Sequence, residues 1–338
     1  MNKVIHSGMG RAGKWARTLL AAFCMSGACV AAAHAAPADN YPERPVKLVV
    51  GFAPGGSDIS ARLVADRLSK LWGQPVVVDN RPGAAGNIGA ANVANATPDG
   101  YTILLLVNSY TINTTVYNNL TWDLLRDFKA IGRYAVSPMA VVVNSKLPVK
   151  TLAEFIDYAK AKPGELNYGS AGVGTAPHLA VEVFNERTGI DMTHVAYKGS
   201  APSVTALAAD EVQVAFGAMS AFDGLVKAGT LRPLAVTTAE RFSQLPDVPT
   251  IVESNVGVTD FDLNIWYGFL APAGTPDAIV QKLSDDLGTV MKDPGLQEEL
   301  RQRGMEPAYL DHKATTKQLE QDVEFWAQIA KRLNLSLN

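Results

Sequence analysis

The chain has 338 residues, of which 47% are hydrophobic and 19% charged, with 30 Lys plus Arg against 33 Asp plus Glu. A formal net charge of −3 excludes the basic footprint of a nucleic-acid binder. The ordinary charged fraction, with no low-complexity tract, excludes a disordered or fibrous chain, and the length points to two lobes rather than the roughly 100–200 residues of one domain.

The first 35 residues read as an export signal. Lys3, Arg11, Lys14 and Arg17 form a positive start without an acid, Leu19 to Ala33 is apolar, and Ala33-His34-Ala35 is an A-x-A cleavage site. That apolar stretch is shorter than the roughly 20 residues a membrane-spanning helix needs. Cys24 and Cys29 both fall inside this segment, so the mature chain is expected to carry no disulfide and no thiolate. Ser26 occupies the place where a bacterial lipobox has an aliphatic residue, which argues against a lipid anchor on Cys29. Gly8, Gly10 and Gly13 match a dinucleotide-binding spacing but follow no strand, so they are not a cofactor site. Removing residues 1–35 takes four basic residues and no acids, and leaves 303 residues at net charge −7.

Along the mature chain, strands are expected at 46–52, 75–79, 101–107, 134–143, 166–169, 193–197, 212–216, 231–237 and 263–270. Helices fit after Asp58 and at 151–162, 176–188, 200–209 and 218–228. Strand and helix alternating at this spacing predict parallel sheets covered on both faces, an α/β fold. From Pro276 onward only helix is expected, with Leu319, Val323, Trp326, Ala330 and Leu333 as a packing stripe lying back on the first lobe. The lobes are then 36–143 with 265–338, and 144–264, joined by two hinge strands.

One phrase occurs three times: "VKLVVGFAPGGSD", "LNYGSAGVGTAP" and "MTHVAYKGSAP" each run from a strand through Gly and Ser into a helix start capped by Ser, Thr or Asp. A helix start presents backbone N–H groups without internal partners and about half a positive charge, so it binds anions without a cation. Lys198 is the only basic residue in the three loops and is read as solvated. The lysine of a phosphate-binding P-loop is absent, which favours a carboxylate held by amides and hydroxyls over a nucleotide. Tyr110, Tyr197, Met219 and Phe222 could wall the ligand or merely pack the cleft.

Enzyme signatures are missing. No G-x-S-x-G elbow occurs, and His178, His194 and His312 have no metal-like spacing. His178 is either a ligand contact or a packed polar residue, and Asp58 at a helix start is expected to be an N-cap rather than a base. No cofactor and no metal are expected.

The blocks "YPERPVKLVVGFAPGGSD", "GQPVVVDNRPGAAGNIGA", "PDGYTILL", "LNYGSAGVGTAPHLA", "VAYKGSAPSV", "RPLAVTTAERFSQLPDVPTIVES" and "GFLAPAGTP" run through the whole mature chain in order. They resemble the Bug or TctC-type extracytoplasmic solute receptors of tripartite tricarboxylate transport systems. The resemblance implies a type II periplasmic binding protein fold closing on a small, commonly carboxylated ligand in the periplasm. It also implies a grip by loop amides, hydroxyls and water. Carried over, the ligand residues are Phe52, Ala53, Gly55, Gly56 and Ser57, then Asn108, Ser109 and Tyr110. From the second lobe come Ser170, Gly174, Thr175, His178, Tyr197, Ser200 and Ala201. Here only Ser57 separates Gly56 from Asp58, one residue fewer than is common in that family. Expected partners are an integral-membrane permease or, alternatively, a membrane sensor kinase, with the receptor itself a monomer.

Overall fold

Short Val- and Leu-rich runs become strands because both faces of the sheet are covered, so no polar alternation is needed. In β1 (Val46–Val50), Val46, Leu48, Val49 and Val50 are all buried. The structure is a computed structural model that describes residue 1 and residues 40–242, 244–332 and 335–336. Residues 2–35 of the expected export signal, with its cysteines, and Leu333 lie outside the described residues. No helix among the described residues is long and apolar enough to cross a membrane.

The further strands are β2 (Val76–Asn80), β3 (Thr102–Val107), β4 (Phe128–Asn144), β5 (Leu166–Ser170), β6 (Met192–Ala196), β7 (Val214–Ala218), β8 (Leu231–Val236), β9 (Asn264–Pro272) and β10 (Glu306–Leu310). Helices α1 (Gly56–Trp72), α2 (Asn87–Ala94), α3 (Ser109–Val116), α4 (Leu124–Asp127), α5 (Leu152–Lys160) and α6 (Ala176–Thr188) lie between the earlier strands. They are followed by α7 (Ser200–Ala209), α8 (Asp223–Lys227), α9 (Asp277–Val290), α10 (Pro294–Arg301) and α11 (His312–Arg332).

The sheet runs β2-β1-β3-β9-β4-β7-β5-β6, with β8 and β10 also pairing to β4. It is mixed, which corrects the expectation of purely parallel sheets. Parallel pairing is confined to β2-β1-β3 and to β7-β5-β6. Between these blocks β4 and β9 run antiparallel to their neighbours. The reason is β4 itself, a 17-residue strand whose first part pairs with β9 as far as Pro138 and whose last part, from Met139, pairs with β7. One strand thus serves two half-sheets.

Each half-sheet has helices on both faces. Around β1 and β3, α1 supplies Ala61, Val64 and Leu68 with Leu283 and Leu287 of α9 on one face, while Ala90 and Val93 of α2 cover the other. Around β5 and β7, Phe155 and Phe184 pack one face, and Leu207, Met219 and Phe222 the other.

Two expectations at the C-terminal end are corrected. Glu306–Leu310 forms an edge strand on β4 inside the stretch read as purely helical; with only five residues and a proline, it gives too little period to be seen. The α11 stripe does not lie on one half alone. Leu319 packs with Trp266 and Leu270, whereas Trp326 and Ala330 join the cluster of Val141 and Phe184. A 21-residue helix is about 31 Å long at 1.5 Å per residue, enough to cross both halves.

Candidate functional site

The carboxyl ends of parallel strands are where α/β folds gather helix starts, and β1, β5 and β6 each lead into one. After β1, Ala53, Gly55 and Gly56 are exposed and Ser57 is half-exposed. The N-cap of α1 is Gly55, with no side-chain cap, and the first helical bond is Ile59 N–H to the Gly55 carbonyl at 2.8 Å. The amides of Gly56, Ser57 and Asp58 therefore precede the internal ladder. Gly55 has φ of 172°, an extended value open to any residue, and a Cβ on Gly56 would meet nothing within 4 Å. The glycines leave room in front of the amides rather than permit an unusual turn.

Asp58 is not the cap that the sequence suggested. It lies in the first turn of α1, 4% exposed, where Asn80 Nδ2 donates to its Oδ1 at 2.8 Å and Arg62 Nε to its Oδ2 at 3.0 Å. Behind the loop the backbone is pressed tightly together. A Cβ on Gly51 would lie 2.8 Å from the Gly86 carbonyl oxygen, and one on Gly89 would lie 2.7 Å from Gly51 Cα. The turn that allows this approach has Ala84 and Ala85 at φ of 48° and 53° and Gly86 at 93°. Left-handed alanines cost roughly 1–2 kcal/mol each, and strain of this kind clusters at functional sites. Asn113 Nδ2 steadies the turn, donating to the Ala85 carbonyl at 3.1 Å and to Asn87 Oδ1 at 2.7 Å.

The second and third helix starts form one continuous surface. Tyr197 N–H donates to the Ser170 carbonyl and Gly199 N–H to the Ala171 carbonyl, both at 3.1 Å. Thr175 is the N-cap of α6, but its Oγ1 donates to the Gly172 carbonyl at 2.7 Å and caps nothing. Ser200 and Ala201 open α7 and are exposed, and Tyr197 is half-exposed. A hollow of about 10 Å³, no larger than a water molecule fills, lies beside them, lined by Ala171, Pro177, Ser200, Ser203 and Phe222 among others.

Beneath these loops lies an aromatic and imidazole stack. Register pairs Tyr168 with His194 across β5 and β6, and their rings stack at 4.7 Å. His178 stacks on His194 at 4.1 Å. Gly174, at φ of 78°, donates its N–H to His178 Nδ1 at 3.3 Å, which leaves Nε2 to carry the proton of a neutral ring. Ser170 Oγ sits 2.7 Å from His194 Nε2 and accepts the Gly172 N–H at 3.1 Å. Burial, then the neighbouring His194, pushes the His178 pKa down to about 3, and burial lowers His194 to about 4. Both imidazoles are neutral at pH 7. Tyr168 OH donates to Glu182.

The third group of expected residues is enclosed. Asn108 Nδ2 donates to the Asn264 carbonyl at 2.8 Å, while its Oδ1 and the Ser109 hydroxyl are buried without a hydrogen-bond partner among the described residues. Tyr110 is 0% exposed, with its ring between Phe52 and Trp122, so here it packs the core and offers no wall. Met219 and Phe222 are buried as well. Asn80, His194 and the 83–86 turn were not named as site residues from the sequence. Aligning the phrases "NYGS" and "THVA" by strand end would have placed His194 beside Tyr168. Asn80 left no such signal.

The donors exposed at the three helix starts are backbone N–H groups and neutral hydroxyls. The description "Tripartite tricarboxylate transporter family receptor" matches residues 60–335, and the chain belongs to that family. A UPF0065 protein of Bordetella pertussis (strain Tohama I) is 37% identical over 284 residues, 83% of this chain and 86% of that one. Rpa4515 of R. palustris, solved with adipate, superposes with a TM-score of 0.83 at 37% identity, covering 88% of this chain and 99% of that one. The periplasmic binding protein BugD gives 0.79 at 33% identity, with 88% and 99% covered. The fold is that of the type II periplasmic binding proteins.

Proposed function

We propose that this chain is a periplasmic receptor, not an enzyme, that captures a small carboxylate between two lobes and delivers it to a membrane permease. The observation that carries the reading is the set of three helix starts with neutral donors at the ends of β1, β5 and β6. Lys198 is exposed, and none of the other residues forming these starts is a cation. Adipate in a relative at 37% identity supports the ligand class.

The lobes of this reading are the two half-sheets. The sequence put the crossings at 143–144 and 264–265; this reading moves the first to Pro138–Met139 of β4, where pairing passes from β9 to β7, and the second to Leu263–Asn264, where β9 begins. The ligand site of this reading lies at the 52–58 and 170–178 loops, with Asn80, His178 and His194 arranging it from behind.

The test is a thermal-shift and calorimetric screen of the mature chain against mono-, di- and tricarboxylates, adipate first. Ligand at 100 times its Kd adds about 2.7 kcal/mol of stability. A screen in which phosphate or a cationic solute stabilises the chain and no carboxylate does would refute the assignment.

A further inference from the structure

We propose that Asn80 is a positioning residue for the first carboxylate loop: its one carboxamide nitrogen holds both feet of the turn between Phe52 and Asp58, and so aims the loop amides. The inference rests on the receptor reading above and assigns a role to a residue outside the three helix starts.

Asn80 ends β2, paired in register with Val50, and Arg81 N–H donates to the Val50 carbonyl at 2.8 Å. This fixes the side chain beside the loop that leaves β1. Its Nδ2 donates to the Phe52 carbonyl at 3.1 Å and to Asp58 Oδ1 at 2.8 Å. Its Oδ1 accepts from Arg62 Nη2 at 2.9 Å, and Arg62 Nε holds the other oxygen of Asp58 at 3.0 Å. The amide can be oriented in only one way. Turned over, its oxygen would face two acceptors and its N–H groups a guanidinium.

The consequence follows from the peptide plane. The Phe52 carbonyl and the Ala53 N–H belong to one trans peptide and point in opposite directions. Holding the carbonyl toward β2 aims the Ala53 N–H away from it, adding a donor to those of Gly56, Ser57 and Asp58. Released, that peptide can rotate and present a carbonyl oxygen, which repels an anion. Only a carboxamide supplies two protons on one atom together with an acceptor for Arg62, and Asn carries it on the shorter arm; Asp supplies neither proton, and Ala supplies nothing.

The test separates this from simple balancing of the Asp58 charge. Asn80→Asp removes both donor contacts, whereas the exchanged pair Asp58→Asn with Asn80→Asp restores the contact between 58 and 80 and leaves the Phe52 carbonyl without a donor. ¹⁵N relaxation of ligand-free protein reads the order of Ala53, Gly55 and Gly56. The wild type should be near the rigid value of about 0.85, and both variants below about 0.6. The exchanged pair should regain the melting temperature yet still bind adipate at least tenfold more weakly than wild type. An exchanged pair with wild-type loop order and affinity would show that Asn80 only balances Asp58 and would overturn the proposal. So would an unperturbed loop in Asn80→Asp. If Asn80→Asp does not fold, the exchanged pair and Asn80→Ala decide alone. A wild-type chain that ignores adipate overturns adipate as ligand, while loop order still judges the clamp.

Discussion

Substituting Gly56→Val should separate binding from folding. Gly56 opens α1, has no left-handed φ, and a Cβ built there meets nothing within 4 Å. Valine therefore strains no backbone and displaces no core atom, and its helix propensity exceeds that of glycine by a few tenths of a kcal/mol. Its methyl groups, however, fill the space in front of the first amides of α1. Displacing a carboxylate from one such amide forfeits a hydrogen bond to a charged group, about 1.5–3 kcal/mol, or roughly 10- to 150-fold in Kd. The comparator is Gly51→Ala, whose Cβ would stand 2.8 Å from the Gly86 carbonyl oxygen and 2.9 Å from Gly86 Cα. Overpacking of this kind costs about 1–3 kcal/mol of stability. Calorimetry with the best carboxylate from the screen, together with thermal unfolding of the free proteins, gives both readouts. The reasoning fails if Gly56→Val binds within threefold of wild type, or if it loses stability as Gly51→Ala does.

Thr175→Val should weaken binding less than tenfold by calorimetry, because the Thr175 hydroxyl proton is already committed to the Gly172 carbonyl and cannot also serve a carboxylate. Lys198→Ala should leave Kd within about threefold, or about 0.7 kcal/mol, since the grip is backbone; loss of binding would reassign the anion to a side-chain cation. Denaturant unfolding should show stability falling as pH drops from about 6.5 toward 4. His178 and His194 have folded pKa values near 3 and 4, so the unfolded chain binds their protons first, at about 1.4 kcal/mol per pH unit for each. Asp322 works in the opposite direction. Burial raises its pKa to about 6 despite the Trp266 Nε1 hydrogen bond at 2.8 Å, so the folded state holds its proton between about pH 4 and 6. Two histidines outweigh one aspartate, so the net slope stays positive, and Asp322→Asn should steepen it; a flatter profile would contradict the sign.

The helix starts at 56, 176 and 200 were legible because each strand is followed by glycine and then serine or threonine, with a proline close by. The caps were misassigned because Gly55 and Gly199 hold two of the cap positions, leaving Asp58 and Ser200 inside their helices, while Thr175 sits at its cap position but turns its hydroxyl to the Gly172 carbonyl. An N-cap bond depends on a rotamer, and composition does not encode that choice. The mixed sheet was hidden for a related reason: a strand buried on both faces shows the same apolar run in either direction, so β4 and β9 gave no sign of being antiparallel. Tyr110 illustrates the limit most plainly. Its place after β3 suggested a cleft wall, yet Gly51 and Gly86 leave a slot that its ring fills from behind.

A site made of helix starts asks something particular of its surroundings. A lysine can follow an anion by changing rotamer, at the cost of ordering a long side chain. An amide cannot follow, so its direction must be set before the ligand arrives, and the energy appears elsewhere in the fold. Here it appears as two left-handed alanines at 84 and 85, glycines packed back to back at 51, 86 and 89, and Gly174 held on His178. The neutral imidazoles belong to the same logic. A protonated His178 would lose its acceptor for the Gly174 N–H and release the second loop, so burial that keeps the ring neutral also keeps the donors aimed. The residues most worth perturbing are therefore those that fix the backbone from behind, and the clamp of Asn80 on Phe52 and Asp58 is the one in which a single side chain ties both ends of a cradle.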